Sequence, residues 1–290
     1  MRFVRFSAEG TSFTGVEREG HVLYIPDPTV PEAIARRERD PAAFERDLGT
    51  APRFPMAKVR LLAPVARPQK ILAIGLNYAD HIAESGMQTP EHQVWFSKMP
   101  NCVAGPGDAI EVPAVSALTD WEAELVLVIG KTCRHVPADR AHEVVAGVTC
   151  GNDVSVRDWQ WKTPQWMLGK SFDTHGPIGP CVVTLDEWNW DRGHAIACRV
   201  NGETKQQSRT DRLVFGARQQ IAHLTQAMTL EPGDLIFTGT PGGVGAALKP
   251  PQWLKAGDRC EIEIEGIGVL SNPVTSEPPA RQDGAWRAPL

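Results

Sequence analysis

The chain has 290 residues, a formal net charge of -5, 42% hydrophobic residues and 22% charged residues. That is ordinary globular composition, long enough for one large domain with a small appendage. No basic block invites nucleic acid or an anionic membrane, and no apolar run reaches membrane-spanning length. Six scattered cysteines without C-x-x-C spacing read as free, mostly buried thiols in a reducing compartment. Glu9, Glu17 and Glu19 near the start, with no signal-type apolar stretch, make the cytoplasm the expected location.

Residues 1–65 read as a small N-terminal domain. Arg2–Ser7 and His21–Ile25 are strand-like, punctuated by Gly10, Gly15 and Gly20. Pro31–Leu48 is charged and helix-compatible, with proline in a favourable early position. Pro64 and Pro68 mark a linker. Residues 66–276 form the expected catalytic domain. It opens with the apolar strand Lys70–Gly75 and a helix-like segment from Asn77, closed by Gly86.

On that segment His81 and Glu84 are three residues apart and share a face, so the carboxylate can orient and charge-support the imidazole. Such a pair is a usable general base, although an exposed surface pair is the plainer reading. From there to about residue 275 short strands are cut by 26 glycines and 24 prolines, with helical exceptions at Ala138–Val145 and Gly216–Met228. The fold class is therefore mostly β with some helices. Residues 277–290 form a polar, proline-containing tail, either disordered or an arm on a neighbour.

The run D-W-E-A-E-L-V-L-V-I-G, residues 120–130, is the most informative. Read as one strand, it puts Asp120, Glu122 and Glu124 on one face, which Val126 and Val128 continue into the core. Carboxylates this close repel unless something positive lies between them, and a hard divalent cation is the simplest answer. A wet strand end is the alternative. Asp153, in C-G-N-D-V-S-V, sits at a loop-to-strand junction. It would complete a three-carboxylate set for Mg2+ or Mn2+, or else cap a turn.

Lys170, between Gly169 and Ser171, suits a carboxylate or enolate oxygen, and Arg157 and Gln160 offer further donors. The loop T-G-T-P-G-G-V-G, residues 238–245, lacks both the Walker and the dinucleotide pattern. It reads as a cradle for a small carboxylate, with Gly239 in its backbone and Thr240 as hydroxyl donor, or as a plain tight connection. Trp159, Trp161 and Trp166 suggest an apolar wall.

Taken in order, G-L-N-Y-A-D-H-I-A-E, W-F-S-K, D-W-E-A-E-L-V-L-V-I-G-K, N-D-V-S-V-R-D-W-Q, G-K-S-F-D-T, N-G-E-T-K-Q-Q-S and P-G-D-L-I-F-T-G-T-P-G-G-V-G resemble the fumarylacetoacetate hydrolase family over roughly residues 70 to 275. The resemblance implies a mixed β-sandwich or β-roll catalytic domain and a homodimer. It implies that Glu122, Glu124 and Asp153 hold Mg2+, Mn2+ or sometimes Ca2+. It makes His81 and Glu84 a water-activating dyad on a lid helix, and brings Gln160, Lys170 and Thr240 to the oxalate-like head of a substrate. Lys98 also matches a recurrent lysine. Asp120 falls outside the ligand set and is expected near the rim as an acceptor.

The function so implied is hydrolysis of a carbon–carbon bond in a 2,4-dioxo acid, an acylpyruvate or diketo sugar acid, through an enolate stabilised by the cation and Lys170. Oxaloacetate-type decarboxylation or 2-hydroxyhepta-2,4-dienedioate-type isomerisation on the same site are the alternatives. A non-catalytic metal-binding module would need the acids but not the His–Glu pair.

Overall fold

The computed structural model describes residues 1–86 and 88–279. Within them the chain is mostly β with some helices, as expected. The large mixed sheet runs, edge to edge, through Arg53–Pro55, His21–Ile25, Thr11–Arg18, Arg2–Ala8, Gly176–Val183, Val145–Asn152, Ala123–Ile129, Leu235–Phe237, Ile71–Gly75 and Val94–Lys98. The leading strands thus enter the sheet directly, with Arg2 and Phe3 opposite Val183 and Val182. A second sheet orders Glu203–Arg209, Ala195–Val200, Arg259–Ile264, Gly268–Ser276 and Ile110–Val112.

Strand alternation builds the layers. Leu125, Leu127 and Ile129 join Val148, Ile196, Ile262 and Leu270 in a core shared with the second sheet. Val126 and Val128 belong to the opposite core, with Phe237, Ile71, Phe44 and Leu48. Glu122 and Glu124 continue the Val126 phase, so the alternation read from the sequence holds.

Continuity does not hold. Residues 120–130 are not one strand: Thr119–Asp120 pairs with Ser155–Val156, and the long strand starts only at Ala123. Two side chains capture the intervening backbone donors. Asp120 Oδ1 accepts from Trp121 N–H at 2.8 Å and Asn152 Oδ1 from Glu122 N–H at 3.0 Å. Likewise Pro31–Leu48 is two helices, Val30–Arg39 and Pro41–Thr50. Pro41 cannot continue a helix, and Asp40 caps the second one through Ala43 N–H at 2.9 Å.

The segment Ala138–Val144 is a 3-10 helix, and Ala217–Ala227 is an α-helix. Helix Ala79–Ser85 ends at Gly86 with φ +68°. All six cysteines are free, and five are buried. Among the described residues no helix is long and apolar enough to cross a membrane. Of the expected tail, residues 280–290 lie outside the described residues.

Gly15 tests how tightly the leading strands pack. A Cβ there would meet Val22 Cγ1 at 2.5 Å and the Leu23 carbonyl oxygen at 2.8 Å. Backbone cannot yield as a side-chain tip does, so Gly15→Ala should cost about 1–3 kcal/mol. Thermal unfolding should show a lowered midpoint, with substrate kinetics unchanged; an unaltered midpoint would mean that this hairpin packs loosely.

Candidate active site

The acidic face ends at the floor of a cavity of about 530 Å³. Glu122, Glu124 and Asp153 each offer an oxygen within 4.8 Å of the others, and all three are buried. Their partners come from separate elements. Lys170, at the end of the short helix Met167–Lys170, bridges Glu122 Oε2 at 2.8 Å and Asp153 Oδ2 at 2.7 Å. Lys98, from strand Val94–Lys98, holds Asp153 Oδ1 at 2.6 Å and also donates to the Lys170 carbonyl. Arg157 joins Asp120 Oδ2 at 2.8 Å to Glu122 Oε1 at 2.7 Å.

Charge decides what this floor can hold. Four buried carboxylates, with Asp120 included, face three buried cationic side chains. Burial alone would raise the carboxyl of Glu122, but Lys170 and Arg157 outweigh it and hold it well below the usual carboxylate range. Lys170 is correspondingly raised, because Asp153 and Glu122 outweigh its burial.

Glu124 is the exception. Its hydrogen bond comes from Gly239 N–H at 2.7 Å, and among the described residues it has no ion pair. Burial, followed by repulsion from Asp153 and Glu122, pushes its carboxyl well above the usual range. An all-oxygen donor set with one uncompensated carboxylate fits a hard divalent cation.

Asp120 is not at the rim, as expected from the sequence, but fully buried. It is an acceptor there, taking Gly245 N–H at 2.7 Å and Ala246 N–H at 3.0 Å besides Arg157. The glycine-rich loop is indeed an anion cradle, but the anions are the chain's own. Gly239 N–H holds Glu124, Gly243 N–H holds Glu84 Oε2 at 2.7 Å, and Gly245 N–H holds Asp120. Gly239, with φ +105°, is placed behind Glu124 rather than on the cavity wall, and a Cβ on it would meet Asn77 Cβ at 2.7 Å.

The other expected residues do meet in one cavity: His81, Glu84, Arg157, Gln160, Lys170 and Thr240 all line it. His81 Nδ1 lies 3.6 Å from Glu84 Oε1, outside hydrogen-bond range. Gln160 Oε1 accepts from Arg157 at 2.9 Å, which leaves its amide N–H groups for the cavity. Arg157 Nη2 is buried without a hydrogen-bond partner among the described residues. Trp161 and Trp166 line the cavity, with Trp166 edge-on to Phe96 at 5.4 Å between ring centroids; Trp159 does not line it.

Residues 70–275 match the family described as fumarylacetoacetate (FAA) hydrolase C-terminal. The chain belongs to this family. It is 42% identical over 286 residues to the mitochondrial oxaloacetate tautomerase Fahd2a of Rattus norvegicus, covering 94% of this chain and 91% of that protein. The structure of a fumarylacetoacetate hydrolase from Exiguobacterium antarcticum superposes with TM-score 0.86 at 38% identity, over 96% of this chain and all of the other. A 5-carboxymethyl-2-hydroxymuconate delta-isomerase from Mycobacterium smegmatis gives 0.79 at 36%, with the same coverage. Family members with this fold therefore carry the names of a tautomerase, a hydrolase and an isomerase.

Three polar residues had no role in the sequence reading. Asn77 Nδ2 donates to Thr238 O at 2.7 Å and Phe215 O at 3.0 Å, anchoring the start of helix Ala79–Ser85 to the glycine loop. Asn152 shapes the break at Glu122. Gln206 reaches Thr240. The signal for all three is a polar residue at an inward position, which hydrophobic periodicity does not register.

Glu124 yields a two-part prediction. Glu124→Gln should raise the unfolding temperature of the cation-free protein near neutral pH, by removing a carboxyl that burial, and then Asp153 and Glu122, prevent from ionising as it would in the unfolded chain. It should also abolish the cation response, which in the wild type amounts to about 2.7 kcal/mol at a concentration of Mg2+ or Mn2+ about 100 times the dissociation constant. Calorimetry with and without the metal measures both, and an equal cation response in the variant would contradict this assignment.

Proposed function

We propose that this enzyme interconverts the keto and enol forms of a small 2-oxo acid of the oxaloacetate type, with Mg2+ or Mn2+ as its cofactor. The observation that carries the reading is Lys170, seated between Glu122 and Asp153 on the cavity floor with one ammonium N–H beyond those two bonds. A divalent cation held by Glu122, Glu124 and Asp153 would supply electrophilic pull on the 2-oxo oxygen. Lys170 adds a donor for the charge that develops there. The amide N–H groups of Gln160 and the Thr240 hydroxyl are placed to orient the carboxylate end.

His81, on the lid helix, takes the proton from C3. The C–H electron pair becomes the C2=C3 π bond, the C2=O π pair moves onto the 2-oxo oxygen, and His81 returns the same proton to that oxygen to make the hydroxyl; the reverse steps restore the ketone. A single base suffices for this traffic, with no attacking water. The rat relative that is named for oxaloacetate tautomerisation and covers 94% of the chain supports the substrate class.

Hydrolysis of a 2,4-dioxo acid is the second reading, and one observation favours it. Away from the charged floor the cavity is walled by Leu76, Phe96, Trp161, Trp166 and Val244, which suits an acyl group better than a second carboxylate. It requires His81 and Glu84 to close from 3.6 Å into a hydrogen-bonded dyad.

Proton NMR of the Mg2+ or Mn2+ form with enol-oxaloacetate, acylpyruvates and hydroxymuconate-type dienes separates the outcomes. The expected result is faster keto–enol equilibration of oxaloacetate without release of CO2. Glu122→Gln should abolish it, and His81→Ala should slow it about 100- to 10,000-fold. Cleavage of acylpyruvates with no effect on enol interconversion would establish the second reading instead.

A further inference from the structure

Gln206 lies in strand Glu203–Arg209 of the second sheet and is 1% exposed. Its side chain crosses to the site. Oε1 accepts from Ala123 N–H at 2.8 Å, between the two glutamates of the acidic face. Nε2 donates to Pro241 O at 2.8 Å and to Thr240 Oγ1 at 2.8 Å. The two backbone groups leave the amide no choice of orientation, because an N–H can only donate and a carbonyl can only accept.

Both amide protons are therefore committed, and the contact with Thr240 has one direction: Gln206 donates and the hydroxyl oxygen accepts. Thr240 has no other hydrogen bond among the described residues, and it lines the cavity. Its own proton is left for whatever occupies the cavity.

We propose that Gln206 is a positioning residue that locks the Thr240 hydroxyl as a donor toward the cavity. The site then offers a proton at that point to an oxygen with free lone pairs, a carboxylate or carbonyl. The inference rests on the 2-oxo acid reading, since an oxygen of such an acid is what the proton meets.

Oxalate tests the lock by binding alone, measured calorimetrically on the Mg2+- or Mn2+-loaded protein. In Gln206→Glu the introduced carboxylate still serves Ala123 N–H but has no N–H for Thr240. The hydroxyl must then donate to it and turn its lone pairs inward. Oxalate affinity should fall about 10- to 100-fold, the loss expected when a hydrogen bond to a charged group is removed, and Thr240→Val should lose about as much.

The double variant decides between a lock and a structural or purely electrostatic role. In the Thr240→Val background, Gln206→Glu should change oxalate affinity by no more than about twofold. An equal loss in both backgrounds overturns the lock. Gln206→Met, which brings no charge, should weaken binding only several-fold, because the freed hydroxyl can still rotate to donate. Met weaker than Glu overturns the lock as well, and this comparison stands if the charged variant does not fold. A wild-type protein that binds no oxalate overturns the 2-oxo acid reading, and the lock with it.

Discussion

Buried carboxylates are costly unless each is met by charge or by hydrogen bonds, and this site is organised by that requirement. Arg157 neutralises Asp120 and shares Glu122, Lys170 shares Glu122 and Asp153, and Lys98 completes Asp153. The pairs draw on strands and short helices far apart in the chain, so the floor exists only when edge strand Val94–Lys98, the segment around Glu122, Asp153 and the two short helices that carry Arg157 and Lys170 are all in place. Among the described residues Glu124 is left with a single backbone N–H. Burial and its acidic neighbours make the charged form of that one carboxyl costly, and a divalent cation is what would make it favourable.

The glycine-rich loop extends the same logic to helix Ala79–Ser85. Three of its amides serve three carboxylates in different places: Glu124 on the floor, Asp120 behind Arg157, and Glu84 on helix Ala79–Ser85. Asn77 ties the base of that helix to Thr238 at the loop's start, and Gln206 ties the loop's Thr240 and Pro241 to Ala123. The floor, helix Ala79–Ser85 and the Thr240 hydroxyl are thus referred to one short stretch of backbone.

Much of this was legible in the sequence, for reasons that also set the limit. Period-two alternation places Glu122, Glu124, Val126 and Val128 on one face, and the structure keeps that phase. Asp153, Lys170, Gln160 and Thr240 could be brought to the same place only through the ordered family motifs, because nothing local links residues so far apart.

Local reading erred where a side chain displaces a backbone partner. Asp120 and Asn152 take the amides of Trp121 and Glu122 and break the strand, and Asp40 with Pro41 splits one helix into two. The glycine loop shows the other limit. Its composition announces an anion cradle, but whether the anion is a ligand or the chain's own acid depends on the direction of each amide. That direction follows from backbone angles such as the φ of +105° at Gly239.

Anomalous diffraction from crystals grown with Mn2+ tests the central point most directly. A single peak bounded by carboxylate oxygens of Glu122, Glu124 and Asp153 is predicted, with Glu124 a direct ligand. Saturating Mn2+ with no peak there, or a peak elsewhere that leaves Glu124 bound only to Gly239, would contradict it.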